Sequence, residues 1–202
     1  MTLVATVAGT PVGVDDVDAR EAVLRDAPQV AALPRPGTSE GRQLRRWLTQ
    51  LLVTERVVAR EAAALGVTVS AATPTEDELL PDLTARLEIG SVAASVLAGP
   101  LARAVFDRIT KDVDVDEAVV ADYHARNPRR FAQPRRADGW LIPGPAPALD
   151  EVRLQIAALL RGAARRRVFR LWLDQRRAEL VWLAPGYEHP GDPRQPDNTH
   201  KH

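Results

Sequence analysis

The chain contains no cysteine among its 202 residues. Disulfides, thiol nucleophiles and thiolate metal sites are thereby excluded. Aromatic residues make up only 4%. The core must therefore come mainly from Leu, Val and Ala, which suits helices packed on helices. Lysine is nearly absent, with 2 lysines against 25 arginines, a bias that fits GC-rich coding better than phosphate binding. No uninterrupted apolar stretch approaches the roughly 20 residues of a membrane span. The opening residues do not join a basic start to an apolar run, as a secretory leader does. The expectation is a cytoplasmic protein with no membrane segment.

What is present is ordinary in bulk and uneven in detail. An apolar fraction of 45% supports a real core in one domain. Formal net charge is zero, yet residues 1–124 hold 19 acids and 12 bases, and residues 125–202 hold 8 acids and 15 bases. Two sides of one solvated fold account for this better than a nucleic-acid surface.

Local patterns give a mainly α chain with a small sheet. Residues 3–7 and 12–14 read as two short strands around Gly9-Thr10-Pro11. Asp15 and Asp16 can cap a helix to about Arg25. Residues 26–41 hold three prolines and two glycines and form a loop. From Gly41 to Leu65 apolar residues recur at helical spacing, and Gly66 stands where a helix ends. Thr75 with Glu76, Asp77 and Glu78 opens a helix to about Glu88. A further helix spans Ser91 to Thr110, with Pro100 as a kink or boundary. Asp114 or Asp116 starts the helix that carries Tyr123; helix capping explains the acids at 112, 114, 116 and 117 better than a calcium loop. Residues 132–149 form a short connector around Trp140-Leu141-Ile142. Asp150 begins a long helix to about Glu179, whose apolar face includes Val152, Ile156, Leu159, Leu160, Ala163, Phe169 and Trp172. Residues 180–183 form a closing strand able to pair with 3–7. The domain is expected to span residues 1–183, with 184–202 as a proline- and histidine-rich tail.

Three segments together resemble the chaperone module of SurA- and PrsA-like parvulin-type peptidylprolyl isomerases. They are Val4 to Arg20 (VATVAGTPVGVDDVDAR), Arg46 to Val67 (RWLTQLLVTERVVAREAAALGV) and Val113 to Pro134 (VDVDEAVVADYHARNPRRFAQP). After a gap, Leu149 to Leu160 and Phe169 to Leu183 are similar to the helix and strand that close the module. The resemblance implies a SurA-N-like helical fold that holds a client polypeptide. It does not extend to the reaction. Residues 135–149 are too few for a separate catalytic domain, and the family's paired catalytic histidines have no counterpart there, so no catalytic residue is assigned.

A helical module of this kind leaves an apolar groove, for which Trp47, Phe106, Tyr123, Trp140 and Trp172 are the candidate lining. It would take a client protein or peptide, or a small apolar ligand. A homodimer is a further possibility. The second signal is the tail, where His189, His200 and His202 accompany Glu188, Asp192 and Asp197. Imidazole and carboxylate suit a divalent transition metal such as Zn, Ni, Cu or Fe, although no standard ligand spacing is present and a solvated or partner-binding tail fits as well. His124 reads as a structural histidine. The alternative function is therefore a metal-binding protein or metal-dependent enzyme that folds the histidine tail over the groove.

Overall fold

The computed structural model describes residues 2–26, 33–137, 140–142 and 144–189. Strands β1 (Leu3–Val7) and β2 (Thr10–Gly13) form an antiparallel hairpin in which Val7 faces Thr10. Its turn is Ala8-Gly9, with φ of 49° and 81°. Two positive φ values in succession match the right-handed twist of a tight hairpin. Strand β5 (Val181–Leu183) joins the other edge of β1, antiparallel, with Trp182 opposite Thr6. The first strand is therefore central in the order β2-β1-β5, and the sheet joins the two ends of the domain as the sequence suggests.

Helix α1 (Val14–Arg25) follows β2 directly. Asp16 accepts the Gly13 N–H at 2.8 Å and satisfies one free amide of the first turn. Helix α2 (Ser39–Ala64) begins two residues earlier than its apolar spacing indicates, because the Thr38 hydroxyl accepts the Gly41 N–H at 3.0 Å. It is the central helix and buries Leu48, Val53, Val57 and Val58.

The single helix expected from Thr75 to Glu88 is two: α3 (Glu76–Leu79) and α4 (Leu83–Ile89). Pro81 cannot continue the helical ladder, and Asp82 restarts it by accepting the Ala85 N–H at 2.8 Å. The segment from Ser91 to Thr110 is divided at the boundary expected at Pro100, into α5 (Ser91–Val96) and α6 (Pro100–Thr110), with Pro100 opening the second.

Helix α7 (Glu117–Arg126) starts after Asp116. The region read as a plain connector contains a second hairpin, β3 (Arg135–Ala137) and β4 (Trp140–Ile142), with Arg136 opposite Leu141. Helix α8 (Leu149–Leu180) has 32 residues and is about 48 Å long at 1.5 Å per residue.

Two apolar cores result. The larger lies between the β1–β2–β5 sheet, α2, α3 to α6 and the C-terminal half of α8. There Phe106 and Phe169 stand 5.0 Å apart between ring centres, and Phe169 and Trp172 stand 5.4 Å apart. The smaller is formed by buried Val120 of α7 with Val152 and Ile156 of α8, flanked by Tyr123, Phe131 and Leu160. The expectation of one apolar face along α8 is thus corrected. The helix buries one face against α7 and another in the main body.

The chain does not leave the body at residue 183. The Ala184 N–H reaches the Val4 carbonyl at 2.9 Å. Tyr187 packs on the main core, and its carbonyl accepts Gln50 Nε2 at 2.8 Å.

Candidate functional site

The N-terminal half of α8, helix α7 and the β3–β4 hairpin between them form an arm, whose small core is separate from the main one. Ion pairs fix its base. Arg161 meets Asp114 at 2.7 Å, and Arg165 meets Asp107 at 2.6 Å. Arg153 pairs with Glu117 at the start of α7. Hydrogen bonding from Arg161, then from the Val115 N–H, holds the Asp114 carboxyl below its ordinary range. His124 Nε2 lies 2.9 Å from the Pro147 carbonyl, so the ring must donate there and ties α7 to the lead-in of α8. The Arg130 guanidinium lies 5.7 Å from the centre of the Tyr123 ring, within cation–π range.

The hairpin is a built element. Gly144 is buried at its base, and a side-chain carbon there would overlap the Gln133 carbonyl oxygen. Only glycine lets the two ends of the hairpin close to this degree. Beyond the pinch, Trp140 is 77% exposed and Leu141 69% exposed. Leu154, at 83% exposure, stands out from the same half of α8, and Val119 is exposed on α7. Tryptophan is seldom left so open in a protein without a partner.

The five candidate groove residues do not share one surface. Phe106 is 1% exposed and enclosed in the main core, with the Arg165 guanidinium 5.2 Å from its ring centre. Trp47 and Trp172 are half-buried against that same core. With so few aromatics, the large rings of the body fill the interior. Tyr123 is half-buried in the small core of the arm, and Trp140 stands open on the hairpin. Sequence reasoning missed Leu141, Leu154, Arg135 and Arg136. The available signal was a Trp-Leu-Ile group set between arginine, proline and glycine.

The clefts elsewhere are open, with linings of mixed polar and apolar character. One of about 280 Å³ lies between the end of α2 and α6, lined by Val67, Thr68, Asp107, Arg108 and Lys111 among others. His189 lines another of about 170 Å³, beside Arg170, Asp174 and Arg177. Two guanidinium groups there repel a metal cation. Burial lowers the Arg177 pKa, partly offset by Asp174, and its guanidinium donates to Gln50 Oε1 and, at 3.0 Å, to Thr54 Oγ1. Among the described residues, no three His, Cys, Asp or Glu side chains converge as a metal site would need. His200 and His202 lie outside the described residues. No helix among the described residues is long and apolar enough to cross a membrane.

The fold and arm define a mainly α protein with a small closing sheet and a projecting apolar element. One family model matches part of it: a family of unknown function (DUF7158), over residues 3–40. That stretch covers the β1–β2 hairpin, α1 and the start of α2. No curated protein and no solved structure matches the chain.

Proposed function

We propose that this protein is a non-catalytic, chaperone-like binding module that holds a client polypeptide on its arm. One observation carries the proposal: the β3–β4 hairpin presents Trp140 and Leu141 to solvent, clear of the main core. Burying a side chain of this size is worth about 1.5 to 3 kcal/mol. Interfaces concentrate their binding energy in such tryptophans and in arginine. The strands of this hairpin pair only with each other among the described residues. Their outer edges are therefore open to an extended chain.

The resemblance of Val4 to Arg20, Arg46 to Val67 and Val113 to Pro134 to the SurA and PrsA chaperone module supports the same reading. So does the order of elements, from opening strand to long second helix, hinge helix, closing helix and strand. A polypeptide is favoured over a small apolar ligand because the observed clefts are open and mixed in lining. A cytoplasmic setting is part of the proposal.

Light scattering of a thermally unfolding client tests it. The intact chain should suppress aggregation at stoichiometric amounts, and Trp140→Ala with Leu141→Ala should remove most of that effect while the far-UV circular dichroism is kept. Equal suppression by the double variant would sink the proposal.

A further inference from the structure

We infer that the segment held by the hairpin is acidic as well as apolar, an extended stretch in which aliphatic side chains alternate with Asp or Glu. This rests on the function proposed above and names its partner's chemistry.

From Tyr123 to Ala137 the sequence has five arginines and no acid. Arg126 is paired with Asp122, and Arg130 lies over Tyr123. Arg129, Arg135 and Arg136 are exposed, and their side chains have no hydrogen-bond or ionic partner among the described residues. Elsewhere the chain tends to pair its arginines where carboxylates are near: Arg45 with Asp18 and Glu21, Arg86 with Glu76, Arg166 with Glu88. Cations of the body that have no such partner among the described residues, such as Arg60, Arg108 and Arg167, stand on different helices. Those of the arm are gathered in eight successive positions.

The strand register makes the gathering useful. Arg136 is opposite Leu141, and Arg135 is opposite Ile142. Directly opposed residues project to the same face of a hairpin. Each face therefore offers an aliphatic group with a guanidinium beside it. A segment laid along either edge meets an apolar contact and a cation within one strand spacing. Guanidinium groups also match carboxylates bidentately.

A phosphate polymer or an anionic bilayer could also use arginine. The polypeptide is favoured for two reasons. The whole chain carries 27 basic and 27 acidic residues, so its net charge gives a polyanion no overall attraction beyond the local arginines. Nucleic-acid grooves also stack bases on several aromatic rings, and this hairpin has one.

Fluorescence anisotropy with the full-length protein and short labelled peptides tests the inference. The probes are an aliphatic peptide with interspersed Glu, the same peptide with Ser, and the same with Lys. At low salt the Glu peptide should bind about tenfold tighter than the Ser peptide, as two or three partly exposed ion pairs predict. Raising salt should erase that advantage. Arg135→Gln with Arg136→Gln should lower Glu-peptide affinity about tenfold and leave the Ser peptide unchanged, whereas Arg60→Gln with Arg108→Gln should change neither. Equal binding of the Glu, Ser and Lys peptides would overturn the inference and leave the chaperone reading standing. Tighter binding of single-stranded DNA, or of phosphatidylserine vesicles, than of the Glu peptide would also overturn it. If no peptide binds and Trp140→Ala is silent, the underlying reading fails as well.

Discussion

Ile156 and Phe169 are fully buried in the same helix but in different cores. Their separation places them about 140° apart around α8. The helix is therefore a shared spine, with one face closing the arm and another closing the body. Ile156→Ala should raise amide exchange in α7 and the first half of α8, and leave the β1–β2–β5 sheet protected. Phe169→Ala removes a ring from the main core and should cost about 3 to 5 kcal/mol globally. Hydrogen-exchange mass spectrometry distinguishes the two; uniform loss of protection in both variants would show that arm and body are one cooperative unit.

Glu21 links α1 to α2. Burial raises its pKa, but hydrogen bonds from Arg25 and Arg45, at 2.6 Å and 2.7 Å, outweigh burial and lower it below the ordinary 4.5. A lowered folded-state pKa adds stability that is complete above the unfolded value and is lost as pH falls through the folded one. Glu21→Gln takes the carboxylate from Arg25 and leaves Arg45 with Asp18 alone, and because both guanidinium groups are partly exposed it should cost about 1 to 2 kcal/mol at neutral pH. Urea titrations across pH should show the gap between variant and parent closing below pH 4.5. A gap that persists unchanged in acid would argue against the ion pair as its source.

Arg166 is buried on α8, where it pairs with Glu88 at 2.7 Å and donates to the Leu79 carbonyl at 3.2 Å. Glu88→Gln strands the cation and should destabilise the fold by about 2 kcal/mol, less than a fully enclosed pair would lose because Glu88 is partly exposed. Adding Arg166→Met removes the stranded charge and should recover part of that loss. Chemical denaturation of the single and double variants reads the coupling directly.

Gly144→Ala should open the base of the β3–β4 hairpin, because the added carbon meets the Gln133 backbone. The main core does not include this region. Client suppression should fall toward that of the Trp140→Ala variant while thermal unfolding of the body is unchanged. A full loss of fold would place the hairpin within the cooperative core.

Much of the fold was legible because its signals are local. Thr75 and Asp116 sit at helix starts, Gly66 at a helix end, and Pro100 at a boundary, whereas the Thr38 cap lies inside a stretch whose prolines and glycines read as loop. Pro81 was passed over because its neighbours on both sides favour helix, and only the Asp82 cap shows that a new helix begins. The two faces of α8 were merged because periodicity pools every apolar position of a long helix, whichever neighbour each one meets. The candidate site was harder to read. Trp47, Phe106 and Trp172 look alike as aromatic positions on helices, and packing alone separates core rings from the open Trp140. The hairpin itself depends on a pinch between Gln133 and Gly144, a contact across the connector that spacing cannot express.

The pairing of β1 with β5 has a consequence for biosynthesis. The central strand leaves the ribosome well before the strand that covers its second edge, which follows only after α8 is complete. Until residues 181–183 emerge, that edge of β1 has no β5 to cover it. The arm, whose residues 117–160 are closer together in sequence, can be assembled sooner. A nascent chain of this protein would thus display the β3–β4 hairpin before its own body is closed.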